Sequence, residues 1–282
     1  MKDVYVGQLV SSNYLAHYGK GHDDNPPGRG SGRWAYGSSN NVFTKKVREV
    51  EKLSSNNPLP LTDSMPNIKE VSQRGNLSLV EAKDCITLAS RKYYLAKKLE
   101  PKITSDFVKA VGDSKSKCYG LEHRLKTITS TAAKIGSEAK EKKVSFKEAS
   151  DEIKDSIRYT AILDIISFKD SYESIKNKLA ESGYEEVRLK NYFQKYKDRE
   201  AKHKAIQSVY KTSHGFNFEV QFQTSESQAA KELKIPLYNE ARQASVSAKR
   251  KMQLENEMER LADRISDPSG VYELMSYDYL KR

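Results

Sequence analysis

The sequence predicts an α+β protein: a mixed sheet of four to five strands flanked by helices, preceded by a helical connector and a flexible N-terminal region. Three observations carry this. From Ser78 to Asp155 apolar residues recur at helical spacing. The period then drops to two in "IRYTAILDI", "EEVRLKNYF", "AIQSVYKT" and "FNFEVQFQT". After Thr224 the helical period returns and runs toward the C-terminus.

Residues 1–76 hold paired prolines, glycines and small polar residues, as in "GKGHDDNPPGRGSGRWAYGSSNN" and "SSNNPLPLTDSMPN". Such density interrupts helix and strand alike, so this region is expected to be extended and to add little to the core. "GRGSG" lacks the flanking strand, helix and Lys-Ser/Thr ending of a phosphate loop. Ser78 followed by Glu81 signals a helix start, as does Ser145 followed by Glu148. "TSDFVKAVG" reads as a separate short helix, and a third helix, within "CYGLEHRLKTITSTAAKIGSEAK", is expected to stop near Gly136. Residues 168–182 form a helix between the first two strands, with Gly183 as its stop. Helix is expected again from Ser225, broken at Pro236. The implied organisation is an N-terminal region 1–76, a connector 77–113, a central domain 114–242 and a helical extension 243–282.

The chain has 282 residues, 37% hydrophobic and 31% charged, with a formal net charge of +11. That excess favours polyanionic partners such as nucleotides or nucleic acid. No apolar run suits a membrane span and the start lacks a secretory apolar region, so a cytoplasmic protein without a membrane partner is expected. Cys85 and Cys118 offer neither a disulfide framework nor zinc spacing.

Lys126, Ser130 and Lys134 are spaced by four, with Arg124 one turn ahead. Such a stripe could grip a polyphosphate, or be a solvated basic face. Asp155 stands just before the first strand and Asp151 a turn earlier; a carboxylate at a strand edge beside cations could hold Mg²⁺ on phosphates, or simply pair with Arg158. The loop "QKYKDREAKHK" is strongly basic and includes His203 and Lys204. In "FNFEVQFQT" the apolar face is Phe216, Phe218, Val220 and Phe222, while Glu219, Gln221 and Gln223 face the other way. Glu219 is of a type to act as general base, aimed by a rigid strand.

These pieces together resemble the synthetase domain of the RelA/SpoT family, the alarmone (p)ppGpp synthetases, over roughly Tyr119 to Tyr238. Arg124, Lys126, Ser130 and Lys134 match its R-x-K-x3-S-x3-K pattern, Lys190, Asn191 and Tyr192 resemble its K-D-Y strand, and "EVQFQT" matches its closing strand. The resemblance implies a nucleotidyltransferase-type fold and an ATP-dependent pyrophosphokinase that moves the β,γ-pyrophosphate of ATP to a ribose 3′-hydroxyl. It implies Arg124, Lys126, Ser130, Lys134 and Arg158 on the ATP phosphates, and Asp155 and Glu219 on Mg²⁺. Glu219, Asp155 and Gln221 would be catalytic, and Lys190, Tyr192, His203 and Lys204 would hold the acceptor.

Two departures stand out. The family's metal-binding Asp lies five residues before the strand Arg, where this chain has Ile153; Asp155 is the substitute expected here. The family's base-stacking Tyr is replaced by His203, so the acceptor could be a nucleotide or tRNA, which toxic relatives modify at its 3′ end. Separately, "YLAHYGKGHDDNPPGRGSGRWAYGS" resembles a segment of tailed-phage minor head proteins, which implies contact with phage head proteins and a virion-associated effector. The rival reading is a catalytically inactive virion or interaction protein that binds nucleotide or nucleic acid.

Overall fold

The computed structural model describes residues 31–57, 60–61, 65–198, 203–241 and 246–281, with backbone alone at 31–41 and 281. The chain divides into two compact units. One comprises Ser54–Asn191, Ile206–Phe222 and Pro268–Arg282; the other comprises the described residues of Met1–Leu53, Tyr192–Ala205 and Gln223–Asp267.

The first unit is α+β. Its elements are α2 (Ile68–Gly75), α3 (Leu79–Asp113), β1 (Lys117–Cys118), α4 (Ile128–Lys142), α5 (Phe146–Asp151), β2 (Arg158–Ile162), α6 (Phe168–Glu181), β3 (Glu185–Asn191), β4 (Ile206–Lys211), β5 (Asn217–Gln223) and β6 (Tyr277–Asp278). The second unit is helical: α1 (Ser31–Leu53), α7 (Tyr192–Lys197), α8 (Ser225–Ala241) and α9 (Ala248–Asp263).

The strands form a mixed sheet of six in the order β1-β2-β5-β4-β3-β6. The two outermost strands, of two residues each, bring the sheet beyond the four to five strands expected. Helix α6 connects β2 to β3 as expected, but β5 and β4 lie between those two strands. One face of the sheet is aromatic. Tyr159 stacks on Phe107 of α3 at 4.4 Å, Tyr210 stacks on Phe218 at 5.6 Å, and Tyr172 of α6 meets Phe222 edge-on at 5.0 Å. Helices α3 and α6 thus cover the face that the alternation in β5 marked as apolar.

Both capping boxes are present. Ser78 Oγ accepts from the Glu81 N–H while Glu81 accepts from the Ser78 N–H, and Ser145 and Glu148 repeat the pattern. The helix opened by Ser78 runs 35 residues, through Pro101, so "TSDFVKAVG" is its last turns and not a separate helix. Burial of Ala96, Ile103 and Phe107 on one face keeps it continuous across the lost hydrogen bond. Likewise α8 continues through Pro236.

The expectation of an extended 1–76 is corrected in part. Residues 31–53 and 68–75 are helical, and Phe43, Val50 and Val71 are buried. Asn67 caps α2 by accepting from the Glu70 N–H, and Asn76 closes it in the left-handed conformation. Gly32 and Gly37 of the first glycine-rich stretch lie within α1 and do not interrupt it. Residues 14–30 of the phage-like segment lie outside the described residues.

Helix α4 does not stop at Gly136 but continues to Lys142, with Lys143 in the left-handed conformation as its cap. Gly136 instead admits Leu77: a Cβ there would lie 2.5 Å from Leu77 Cδ1. Leu77 belongs to a core of Val71, Cys85, Ile128, Ile135 and Ile153 and has little room to retreat. Gly136→Ala is expected to cost about 1–3 kcal/mol by overpacking, checked by urea unfolding of the full chain.

The segment 268–281 is tied to strand β3, with β6 as the sheet edge. Asn191, 1% exposed, donates from Nδ2 to the carbonyls of Val271 (2.7 Å) and Leu274 (2.9 Å). The buried Glu186 accepts from Tyr172, from Tyr277 and from Lys176 Nζ at 2.9 Å. Asn191→Asp would set a carboxylate against two carbonyl oxygens. A loss of about 2 kcal/mol is expected, read as a lower urea midpoint that partly recovers at acid pH.

Candidate active site

Asp155 sits in the turn between α5 and β2, fixed by buried neighbours Ile153 and Ile157. The N–H of Lys126 donates to the Ser156 carbonyl at 3.0 Å, and Leu125 bridges Ile157. Lys126 is therefore held beside the start of β2 and is not on the helix. Thr127 is the N-cap of α4, accepting from the Ser130 N–H, so the helix begins two residues after Lys126 and the expected single stripe leaves Lys126 out. Lys134 comes from two turns into α4. The three charges still meet: Lys126 Nζ lies 2.7 Å from Asp155 Oδ2, and Lys134 Nζ lies 3.0 Å from Asp155 Oδ1.

Burial alone would raise the Asp155 carboxyl. The Lys126 and Lys134 ammoniums override it and hold the group down at about 2. Burial lowers Lys126, against the pull of Asp155, and Lys134 and Arg158 add repulsion. Asp151, the other acid near this strand, is exposed at the end of α5, and Ile153 is in the core. Of the acids near this strand start, Asp155 is thus the one that both Lys126 and Lys134 reach.

Glu219 lies on the face of the sheet opposite the aromatic layer and is 5% exposed. Each of its oxygens accepts one carboxamide N–H: Oε2 from Gln207 Nε2 at 2.5 Å, Oε1 from Gln221 Nε2 at 2.7 Å. Two amides, one from β4 and one from Glu219's own strand, therefore aim the carboxylate. The Glu219 N–H donates to the Ile157 carbonyl at 3.0 Å, which ties its strand to the segment between Asp155 and Arg158.

Register sets the rest of this face. Lys190 pairs with Gln207 and Gln207 with Gln221, one row across three strands. Arg188, Val209 and Glu219 form the next row. A bulge between Glu186 and Arg188 breaks the alternation of β3. Glu186 faces Tyr210 on the aromatic side, while Arg188 and Lys190 turn to the Glu219 side. The Arg188 Nε is buried without an acceptor. Gln207 and Arg188 are thus members of this face that the sequence reading missed.

Not every expected residue joins. Arg124 is buried elsewhere: its Nε donates to Glu100, and its Nη1 donates to the Leu121 carbonyl at 2.6 Å. Thr104 links Glu100 to Tyr159, so Arg124 completes a polar cluster under the aromatic layer and is not on the cationic stripe. Arg158 is exposed, and its N–H donates to the Arg124 carbonyl at 2.8 Å. Alternation with the core residue Tyr159 turns Arg158 toward the Glu219 face. Ser130 stands in the first turn of α4, one turn before Lys134.

Tyr192, His203 and Lys204 belong to the helical unit. The rings of Tyr192 and His203 lie 4.1 Å apart. Crowding of the His203 ring, together with Lys234 and Lys231, pushes its imidazole below the usual histidine range. Lys204 is not available to an acceptor. Its ammonium is buried, donating to the Ile265 carbonyl at 2.8 Å and to Asp267 at 2.7 Å.

Among the described residues no three His, Cys, Asp or Glu side chains gather as a metal cage. A single buried carboxylate among lysines fits a different mode, in which Mg²⁺ takes one protein oxygen and completes its shell with substrate phosphates and water. Asp155 meets that requirement. No described helix is long and apolar enough to cross a membrane.

No protein-family model matches the sequence, and no curated protein matches it. Among solved structures, the chain is similar to small alarmone synthetase 1 from Bacillus subtilis bound to its product pppGpp. That similarity has 18% identity and a TM-score of 0.34, over 46% of this chain and 68% of that one. It is also similar to the complex of the Type VI effector Tas1 with its immunity protein, with 13% identity and a TM-score of 0.38, over 62% of this chain and 94% of that one.

Proposed function

We propose that the α+β unit is an ATP-dependent pyrophosphokinase whose acceptor is the ribose 3′-hydroxyl of a nucleotide. The observation that carries this reading is the Lys126–Asp155–Lys134 triad, joined through the Ile157–Glu219 backbone bond to a carboxylate held by two amides. Phosphoryl-type transfer asks a protein for positioning and charge neutralisation more than for covalent chemistry. Lys126 and Lys134 would hold the ATP phosphates. Mg²⁺, held by Asp155, would supply further neutralisation of their charge. Glu219, aimed by Gln207 and Gln221, would accept the proton of the 3′-hydroxyl. The acceptor oxygen would bond to the β-phosphorus as the bond to the α–β bridging oxygen breaks, and AMP would leave. Arg188 and Lys190, on the same face, would meet acceptor charge.

The burial of Arg124 against Glu100 and of Lys204 against Asp267 favours a second reading, a domain that binds nucleotide without turnover. One assay separates the two. The full chain is incubated with γ-labelled ATP, Mg²⁺ and, in turn, GDP, GTP, ADP and total tRNA. Label transferred to an acceptor with matching AMP release supports the kinase; nucleotide binding without transfer to any acceptor supports the binding domain.

A further inference from the structure

We propose that Asp155 is a built-in counter-anion for the phosphate site, so that polyphosphate and divalent cation bind there together and each weakly alone. The inference rests on the reading of Lys126 and Lys134 as phosphate-binding groups and adds how their site is gated. Both ammoniums are committed to one carboxylate, at 2.7 and 3.0 Å. Lys126 and Asp155 side chains are only 14% and 11% exposed, so water replaces a lost partner poorly. Lys126 and Lys134 contact Asp155, Glu138 lies 3.7 Å from Lys134, and Arg158 acts on Lys126.

The consequence follows from charge balance. A metal-free polyphosphate that takes the two lysines leaves a buried carboxylate unpaired, which is costly. A divalent cation arriving alone must share Asp155 with two ammoniums and is repelled by them. Arriving together, the phosphates take the lysines and the cation takes Asp155, so every buried charge keeps a partner. The two ligands are then positively coupled, and each raises the affinity of the other by the same factor. A simple pair of lysines would do the opposite. It would prefer free ATP, which carries more negative charge than the magnesium complex.

The test is calorimetric titration of the full chain with the α,β-methylene analogue of ATP, whose α–β linkage cannot be cleaved, in EDTA and in Mg²⁺. Affinity in Mg²⁺ is expected to exceed affinity in EDTA by about tenfold or more, within the usual span of coupling between two ligands. Asp155→Asn keeps the shape and removes the charge. It is expected to bind the metal-free analogue about tenfold more tightly than the parent and to lose the gain from Mg²⁺. Equal affinity in EDTA and Mg²⁺, or tighter binding in EDTA, overturns the counter-anion while leaving the phosphate site standing. Absence of binding under both conditions removes the phosphate site and the proposal with it. The comparison on the parent chain decides the matter even if Asp155→Asn does not fold.

Discussion

Glu219→Gln is expected to lower the rate of pyrophosphate transfer by roughly 10²–10⁴ while leaving ATP binding and the fold nearly intact. The carboxylate is buried and has both oxygens engaged by carboxamides, so it is held in one orientation. Glutamine has nearly the same size and stays on the same face, and the buried Phe218 and Val220 beside it keep their packing. The new amide would first confront two donors. Rotation of the Gln221 amide restores one acceptor, so a stability cost of about 1 kcal/mol is expected. The variant keeps the side-chain shape and loses the ability to take a proton or face a cation. Lys134→Ala provides the contrast. On the proposed function it would remove a phosphate contact made in ground and transition states alike, so it should raise KM for ATP before it lowers kcat. It also leaves Asp155 with Lys126 alone, and its half-exposed position limits the loss of stability to about 1 kcal/mol. Steady-state kinetics of both variants on one acceptor decide the assignment. Unchanged kcat in Glu219→Gln would show that this carboxylate is not the base.

Much of this arrangement is legible in the sequence because it is local. The caps at Ser78 and Ser145 need only a residue three positions on, and the two faces of β5 need only alternation. What is hidden depends on partners distant in the chain. Arg124 and Glu100 are 24 residues apart, and nothing near either reveals that a helical acid turns inward to take the guanidinium. Gln207 reaches Glu219 only because the turn at Gly215, in the left-handed conformation with φ +82°, sets the register of β4 on β5. Arg188 shares the parity of Glu186 and would read as its face-mate. The bulge at Val187 separates them, and a bulge of this kind carries no glycine to announce it. Lys126 escaped the helix because "KTITST" offers several capping hydroxyls, and packing of Ile128 selected Thr127. Asp155, Lys126 and Lys134 are each legible from residue type and spacing, whereas the closure of both ammoniums on one carboxylate depends on segments that the fold brings together.

A second large effect is expected in the helical unit, in helix α9. Glu257 falls on the same stripe as Leu254, Met258 and Leu261, and it is 5% exposed. Its Oε2 has no hydrogen-bond partner. The nearby Arg250 is engaged by Glu240, at 2.7 and 3.2 Å. Burial pushes the Glu257 carboxyl up, Arg250 pulls it partly back and Glu240 adds repulsion, leaving it at about 7. The folded chain therefore keeps a proton that the unfolded chain releases near the ordinary value of 4.5. Between those values the folded state binds more protons than the unfolded state, so stability falls as pH rises, and the full penalty is present above about pH 7. A difference of this size corresponds to about 3 kcal/mol. Glu257→Gln retains the shape and never ionises. It is expected to match the parent in stability near pH 4 and to exceed it by about 3 kcal/mol near pH 8. Urea unfolding of both chains across this range provides the check. Equal stability at pH 8 would mean that the carboxylate finds a partner on ionising, and that the stripe tolerates its charge.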